Sequence, residues 1–259
     1  MALLEETTWH PADLFSDNPG AHKEYALVVL NQPMELLPSL YAKIWGNAVR
    51  KVAADGGANR VQDLNLSSEG HDLGVDLIIG DLDSIIPASR QYWHEKGVDI
   101  VHDSDQYSTD FTKAVNNIWA PEKSKPMNIV AIGGIGGRVD QGVSILHHLY
   151  MFQKNYESGK MFLLSNEGIT FVLRSGKHKI KARENFMGFG LGKHVGILPL
   201  KEPSVITTTG LEWDVTDWKT EVGGQMSTSN HVQEDWVTVE TTKDVLFTID
   251  FNIDGHNNS

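Results

Sequence analysis

The 259-residue sequence contains no cysteine. Disulfides, thiolate metal sites and cysteine nucleophiles are excluded together, and the absence is compatible with a reducing compartment. Positive charge is also scarce: 22 Lys and Arg stand against 34 Asp and Glu, a formal charge of −12. Nucleic acid is therefore not an expected partner, because neutralising its phosphates takes clustered cations. No apolar run is long enough to span a bilayer, and the opening MALLEETTWHPADLF lacks a basic segment followed by an apolar one. The expectation is a soluble, cytoplasmic protein with no membrane partner. The eleven histidines include no HExxH or comparable zinc spacing. His147 and His148 are adjacent in an expected helix, so they diverge and receive no role.

The first two-thirds of the chain alternate short apolar runs with amphipathic stretches. YALVVL (25–30), VDLII (75–79), the run at 98–101 and NIVAI (128–132) read as buried strands. Helices are expected around 34–46, 87–96, 109–119 and 141–154, with Pro87 in a first turn. Ser108 or Thr109 would cap the third of these, and Asp110 would suit its first turn. Such alternation predicts a mostly parallel sheet with crossover helices. From about residue 168 the texture changes to ITFVL, KHKIKA, HVGILPL, SVITTTGLEW, WVTVET and VLFTIDF, which predict an antiparallel sandwich or barrel. The expected fold is an α/β domain over 1–168 followed by an all-β domain over 169–259.

Four segments of the first part can carry chemistry. Gly80-Asp81-Leu82-Asp83-Ser84 directly follows VDLII, and ligands of open α/β sheets gather beyond the carboxyl ends of strands. Two carboxylates one residue apart can serve Mg²⁺, which takes oxygen ligands and substrate phosphates; the same letters also make an ordinary turn. Asp55-Gly56-Gly57-Ala58-Asn59-Arg60 follows the KVAA run, where paired glycines let backbone approach a ligand, or merely turn tightly. In DSDQYSTDFTK (103–113), Asp110 and Lys113 are three apart and share a helix face, as a metal ligand beside a phosphate clamp or as a solvated ion pair. Gly133-Gly134-Ile135-Gly136-Gly137-Arg138-Val139-Asp140-Gln141 follows NIVAI and can form an anion nest ahead of a helix, with Arg138 able to pair bidentately with phosphate. It is neither a Walker A loop nor a dinucleotide fingerprint. Singly these are weak signals. Parallel strands would bring all four to one rim, as a phosphate-and-metal site.

In the β-rich part, Gly210-Leu211-Glu212-Trp213-Asp214 and Met226-Ser227-Thr228-Ser229-Asn230 combine an aromatic face with small hydrogen-bonding groups. Read by themselves, Trp213, Trp218 and Trp236 are expected in the core.

DGGANR, GDLDS, TDFTK, GGIGGRVDQ, GLEWD and STSN occur in this order in thiamine pyrophosphokinases, and the sequence resembles the eukaryotic members from about Val52 to Phe251. The resemblance implies an α/β domain followed by a β-sandwich, assembled as a homodimer with active sites at the subunit interface. It implies transfer of a pyrophosphoryl group from ATP to the hydroxyl of thiamine, with release of AMP. Asp81, Asp83 and Asp110 would hold Mg²⁺ on the ATP phosphates, with Asp55 nearby. Gln106, Lys113 and Arg138 would contact phosphates or the reacting hydroxyl, and Asp140 would support the loop. Trp213, Ser227, Ser229 and Asn230 would belong to the thiamine side. A metal-dependent nucleotidyltransferase or NTP hydrolase is the rival for the α/β half alone, and a non-catalytic sensor is the second rival.

Overall fold

The computed structural model describes residues 6–16, 24–67, 72–119, 127–156, 159–186 and 189–252. In chain order the elements are β1 (Glu6–Trp9), a 3₁₀ turn (Pro11–Phe15), β2 (Tyr25–Val29), α1 (Pro38–Asn47), β3 (Arg50–Ala54), α2 (Gly57–Ser67), β4 (Leu77–Gly80) and α3 (Pro87–Glu95). There follow β5 (Asp99–His102), α4 (Asp110–Ile118), β6 (Asn128–Ile132), α5 (Val139–Asn155) and β7 (Met161–Leu164). The remainder is strand: β8 (Gly168–Leu173), β9 (Gly176–Lys181), β10 (Asn185–Phe186), β11 (Phe189–Leu198), β12 (Ser204–Thr209), β13 (Trp218–Thr220), β14 (Ser227–His231), β15 (Trp236–Thr241) and β16 (Val245–Asn252). The chain forms two compact units that divide between Asn166 and Glu167, beside the 168/169 boundary read from texture, and residues 6–16 belong with the second unit.

The α/β unit carries a parallel sheet in the order β7-β6-β2-β3-β4-β5. Every residue of β2 is buried, as a central parallel strand flanked on both faces by helices requires. From β2 the chain steps outward through β3, β4 and β5, and β6 then returns to the other side of β2. Strand order therefore reverses between β2 and β6, the place where open α/β sheets bind ligands.

Local chemistry sets the helix starts. The helix expected around 34–46 begins at Pro38, because proline suits the first helical position and drives Leu37 into extended backbone (φ −56, ψ 133). Pro87 opens α3 in the same way. Thr109 caps α4, its hydroxyl accepting the Thr112 N–H at 3.2 Å, a contribution of about 1 kcal/mol.

The second unit is a β-sandwich. One sheet runs β1-β9-β15-β12-β13, in which β1 lies parallel to β9 and the other pairs are antiparallel. The other runs β10-β11-β16-β8, with β14 also pairing with β11. Alternating strand residues meet between the sheets: Trp9 of β1 stacks on Phe171 at 4.6 Å between centroids, and Phe171 lies 5.2 Å from Phe247. The Trp9 indole N–H is satisfied at His178 Nδ1, 3.1 Å away. Phe15 closes the same core against Phe189 and Phe251.

Candidate active site

Three carboxylates converge beyond the carboxyl ends of β3 and β4. Asp55, Asp81 and Asp110 each offer an oxygen within 4.8 Å of the other two. Gly80 makes the approach possible: a Cβ there would stand 2.6 Å from Asp55 Cβ and 2.9 Å from Asp110 Oδ1. Asp55, 1% exposed, accepts the Ser84 and Ile85 N–H groups, one on each oxygen, at 3.0 and 2.9 Å. Burial nevertheless pushes its carboxyl upward, with the Asp110 and Asp83 charges adding to the rise against those two bonds. Asp110 Oδ1 accepts the Asp81 N–H and the Lys113 ammonium, both at 3.2 Å. Asp81 accepts the Asp83 N–H. Asp83 stands outside the trio and accepts the Ser84 hydroxyl at 2.7 Å.

The backbone here is strained where the carboxylates gather. Asp55 (φ 41) and Leu82 (φ 62) occupy left-handed space, each at a cost of about 1–3 kcal/mol. Such conformers persist when neighbours over-determine them. The DGGANR segment does so for the GDLDS loop: Asp55 binds it as described, and Asn59 donates to the Ser84 carbonyl and accepts the Ile86 N–H. Arg60 reaches the other way and donates to Asn31 Oδ1 at 2.9 Å. Gly57 sits so close to β2 that a Cβ would lie 2.1 Å from the Val29 carbonyl oxygen.

Asn31 and Gln32 follow β2, and sequence reasoning passed over them although they occupy the same kind of strand-end position as the aspartates. With Gly56, Ser84, Thr109, Asp110, Gly133, Gly134, Gln141 and His148 they line a cavity of about 170 Å³ at the strand-order reversal. The glycine-rich loop after β6 wraps Gln32: Gly133, Gly136 and Gly137 have φ of 75, 143 and 68, and a Cβ on Gly137 would lie 3.1 Å from the Gln32 amide.

The remaining expected residues of the α/β unit are not among those lining the cavity, and they stand in different states. Lys113 is 3% exposed, with its ammonium on Asp110. Arg138 and Asp140 are exposed and joined by two hydrogen bonds of 3.1 and 2.6 Å, which raise the guanidinium and lower the carboxyl. Gln106 is exposed on a loop shaped by Asp105, whose carboxylate takes the Ser108 hydroxyl and the Tyr107 N–H and is held below the usual range by them.

In the sandwich unit, Trp213 is 55% exposed rather than buried in the core. Buried Asn230 grips its backbone: Oδ1 accepts the Trp213 N–H at 3.1 Å and Nδ2 donates to the Trp213 carbonyl at 2.9 Å. Asp214 ties the same turn by accepting from the Thr208 hydroxyl and the Gly210 and Leu211 N–H groups. The indole leans on His231 at 5.0 Å, and His231 Nδ1 is 2.6 Å from Glu212. Ser227 and exposed Ser229 lie with Asn230 on β14, Ser229 at a φ of 52.

An all-oxygen set beyond β3 and β4, beside a glycine-lined cavity at the strand-order reversal, suits a hard cation and an anionic ligand. Residues 41–161 match the family described as thiamin pyrophosphokinase, catalytic domain, and residues 177–246 match thiamin pyrophosphokinase, vitamin B1 binding domain. The chain is 37% identical over 242 residues to thiamine pyrophosphokinase 3 of Oryza sativa subsp. japonica, covering 87% of this chain and 86% of that protein. It is 36% identical to thiamine pyrophosphokinase 2 of Arabidopsis thaliana, covering 87% and 85%. Yeast thiamin pyrophosphokinase, a solved structure, superimposes with a TM-score of 0.81 at 27% identity, covering 97% of this chain and 93% of that one. With both family domains matched in order and relatives above one-third identity over most of its length, the chain belongs to the thiamine pyrophosphokinase family.

Proposed function

We propose that this chain transfers the pyrophosphoryl group of ATP to the hydroxyl of thiamine, giving thiamine diphosphate and AMP. The observation that carries the reading is the convergence of Asp55, Asp81 and Asp110 beside the glycine-lined cavity, in a chain whose two family domains bear thiamine in their names. The trio fits Mg²⁺: three carboxylates supply hard oxygen ligands, and the space for them exists only because Gly80 has no side chain. Bound there, Mg²⁺ would offset the charge of the phosphate oxygens. Asp81 and Asp110 are assigned to it with Asp55 behind them. Asp83, exposed on the same loop, is assigned on the resemblance.

The chain's own residues do the rest. Arg138, a five-donor fork already aligned on Asp140, would turn toward phosphate oxygens and add positive charge where negative charge grows. Lys113 would hold Asp110 and lower the repulsion within the trio, and Gln106 would orient the tail of the nucleotide. Either Asp81 or Asp110 would accept the proton of the attacking hydroxyl. Trp213, fixed by Asn230, would offer its exposed face to the cationic thiamine, with Ser227 and Ser229 as hydrogen-bonding neighbours. The resemblance supports a homodimer with both chains contributing to each active site, and the cysteine-free composition is compatible with a cytoplasmic setting.

The test is an assay with thiamine, ATP and Mg²⁺, with EDTA as control, resolving products by chromatography. AMP and thiamine diphosphate in equal amounts are expected, and none with EDTA. ADP with thiamine monophosphate, or free pyrophosphate, would overturn the assignment.

A further inference from the structure

His148, on α5, is buried at the wall of the cavity, and its two ring nitrogens make hydrogen bonds with distinct meanings, the Ser144 hydroxyl standing farthest off at 3.5 Å from Nδ1. Its Nδ1 lies 2.5 Å from the Ser144 carbonyl oxygen. A carbonyl only accepts, so Nδ1 carries the proton and Nε2 is left as a bare lone pair. That lone pair lies 3.0 Å from Thr109 Oγ1, so the Thr109 hydroxyl donates to it. With its single proton spent on His148, Thr109 Oγ1 presents lone pairs to the Thr112 N–H at 3.2 Å and to the Thr112 hydroxyl at 3.1 Å. The helix cap thus has one permitted orientation, and the residue after the cap is Asp110.

The surroundings keep this arrangement neutral and rigid. The Phe111 and Phe152 rings pack on the imidazole at 5.9 and 5.7 Å, and burial holds it below its ordinary pKa. Alternative hydroxyl rotamers would weaken the first turn of α4, on which the Asp110 carboxylate meets the Asp81 N–H and Lys113.

We propose that His148 is a positioning residue of the reaction: by accepting the Thr109 hydroxyl it fixes the first turn of α4 and sets the Asp110 carboxylate against Asp81 and Asp55. The assignment rests on the reading of that trio under Proposed function. It gives the second of two adjacent histidines a role that no spacing rule would detect.

The decisive variants separate the acceptor from the bulk of the ring. H148Q places a carbonyl oxygen near the position of Nε2, whereas H148L fills similar space with no acceptor. In H148L, kcat should fall about tenfold with the KM for thiamine within twofold, and the Mg²⁺ concentration giving half of the thermal upshift should rise several-fold. H148Q should recover kcat to within about threefold of the parent. Adding H148L to T109V should cost nothing beyond T109V alone, because the two act through one bond. Long-range ¹H–¹⁵N spectra of the parent should show an imidazole protonated at Nδ1 only.

H148L with parental kcat and Mg²⁺ response, H148Q no better than H148L, additive T109V and H148L effects, or an Nε2-protonated imidazole would each overturn the assignment. Should H148L fail to fold, H148Q with T109V and T109S separates the same outcomes: T109S should resemble the parent and T109V should not. A parent that makes no AMP with thiamine and Mg²⁺ would overturn the functional reading and this assignment with it. A fully active parent matched by H148L would overturn this assignment alone.

Discussion

Asn230 and Trp213 exchange two hydrogen bonds, one in each direction, so that a buried side-chain amide serves the Trp213 peptide as a neighbouring strand would. Both ends of the amide are occupied, so under the proposed function Asn230 would shape the thiamine side by holding Trp213. N230D replaces the donor with a carboxylate facing a carbonyl oxygen. It should raise the KM for thiamine at least tenfold and lower stability by roughly 1–3 kcal/mol. Thiamine titration by tryptophan fluorescence together with urea unfolding checks both, and parental values would remove Asn230 from this role.

Glycine at position 80 separates packing from chemistry. In G80A the new methyl group meets Asp55 Cβ at 2.6 Å and Asp110 Oδ1 at 2.9 Å, so the trio must spread. Turnover should fall more than 100-fold, with a large rise in the Mg²⁺ needed. G46A is the control: a Cβ there meets nothing within 4 Å, the site lies in α1, and stability should rise by about 0.5–1 kcal/mol. Kinetics and thermal unfolding of both proteins decide the point.

The three carboxylates should differ when each is changed to the amide. Asp55 uses both oxygens on backbone N–H groups, and an asparagine turns an NH₂ toward one of them. D55N should therefore lose both activity and several degrees of Tm. D81N, which forfeits only its share of one bond to Asp83, should lose turnover by at least 100-fold with Tm nearly unchanged. D110N should lose turnover and also loosen Lys113. Equal Tm losses across the three would contradict this division.

His148 makes stability depend on pH. Its folded pKa is lowered from the ordinary 6.5, first by burial and also by the His147 charge, against the Ser144 carbonyl. The groups packed on it from α4, Thr109 and Phe111, carry no charge. Below pH 6.5 the unfolded chain binds a proton that the folded chain refuses, so stability falls as pH drops from 6.5 toward the folded value. Above 6.5 both states are neutral and the slope vanishes. Urea unfolding between pH 5 and 7.5 should show this slope in the parent and a shallower one in H148Q.

Much of the α/β unit was legible because buried parallel strands read as unbroken apolar runs, and VDLII and NIVAI end where the site begins. The α2 helix was not, since GANRVQDLNLS has few apolar positions and its start is set by Gly57 packing on the Val29 carbonyl, a tertiary contact. Strand β1 was illegible for a related reason: four residues with their partner far along the chain carry no local period. At the site, aspartates after apolar runs were visible as strand-end groups. Asn31 and Gln32 follow YALVVL in the same way, but neutral amides raise no charge signal. His148 depends on a hydroxyl from another helix, and no rule of spacing within α5 exposes that. Trp213 was expected in the core on general frequency, yet Asn230 and Asp214 hold its turn at the surface.

The parallel pairing of β1 with β9 has a consequence for the order in which the molecule is made. Trp9 and its hydrogen-bonded partner His178 are 169 positions apart, a delay on the order of ten seconds during translation at roughly 5–20 residues per second. Residues 22–166 are complete before β9 leaves the ribosome, so the α/β unit should reach protease resistance on stalled chains while β1 is still cleavable. Protection of both at the same chain length would contradict that sequence of events. Among the described strands β1 is thereby the earliest made and one of the last to find its place.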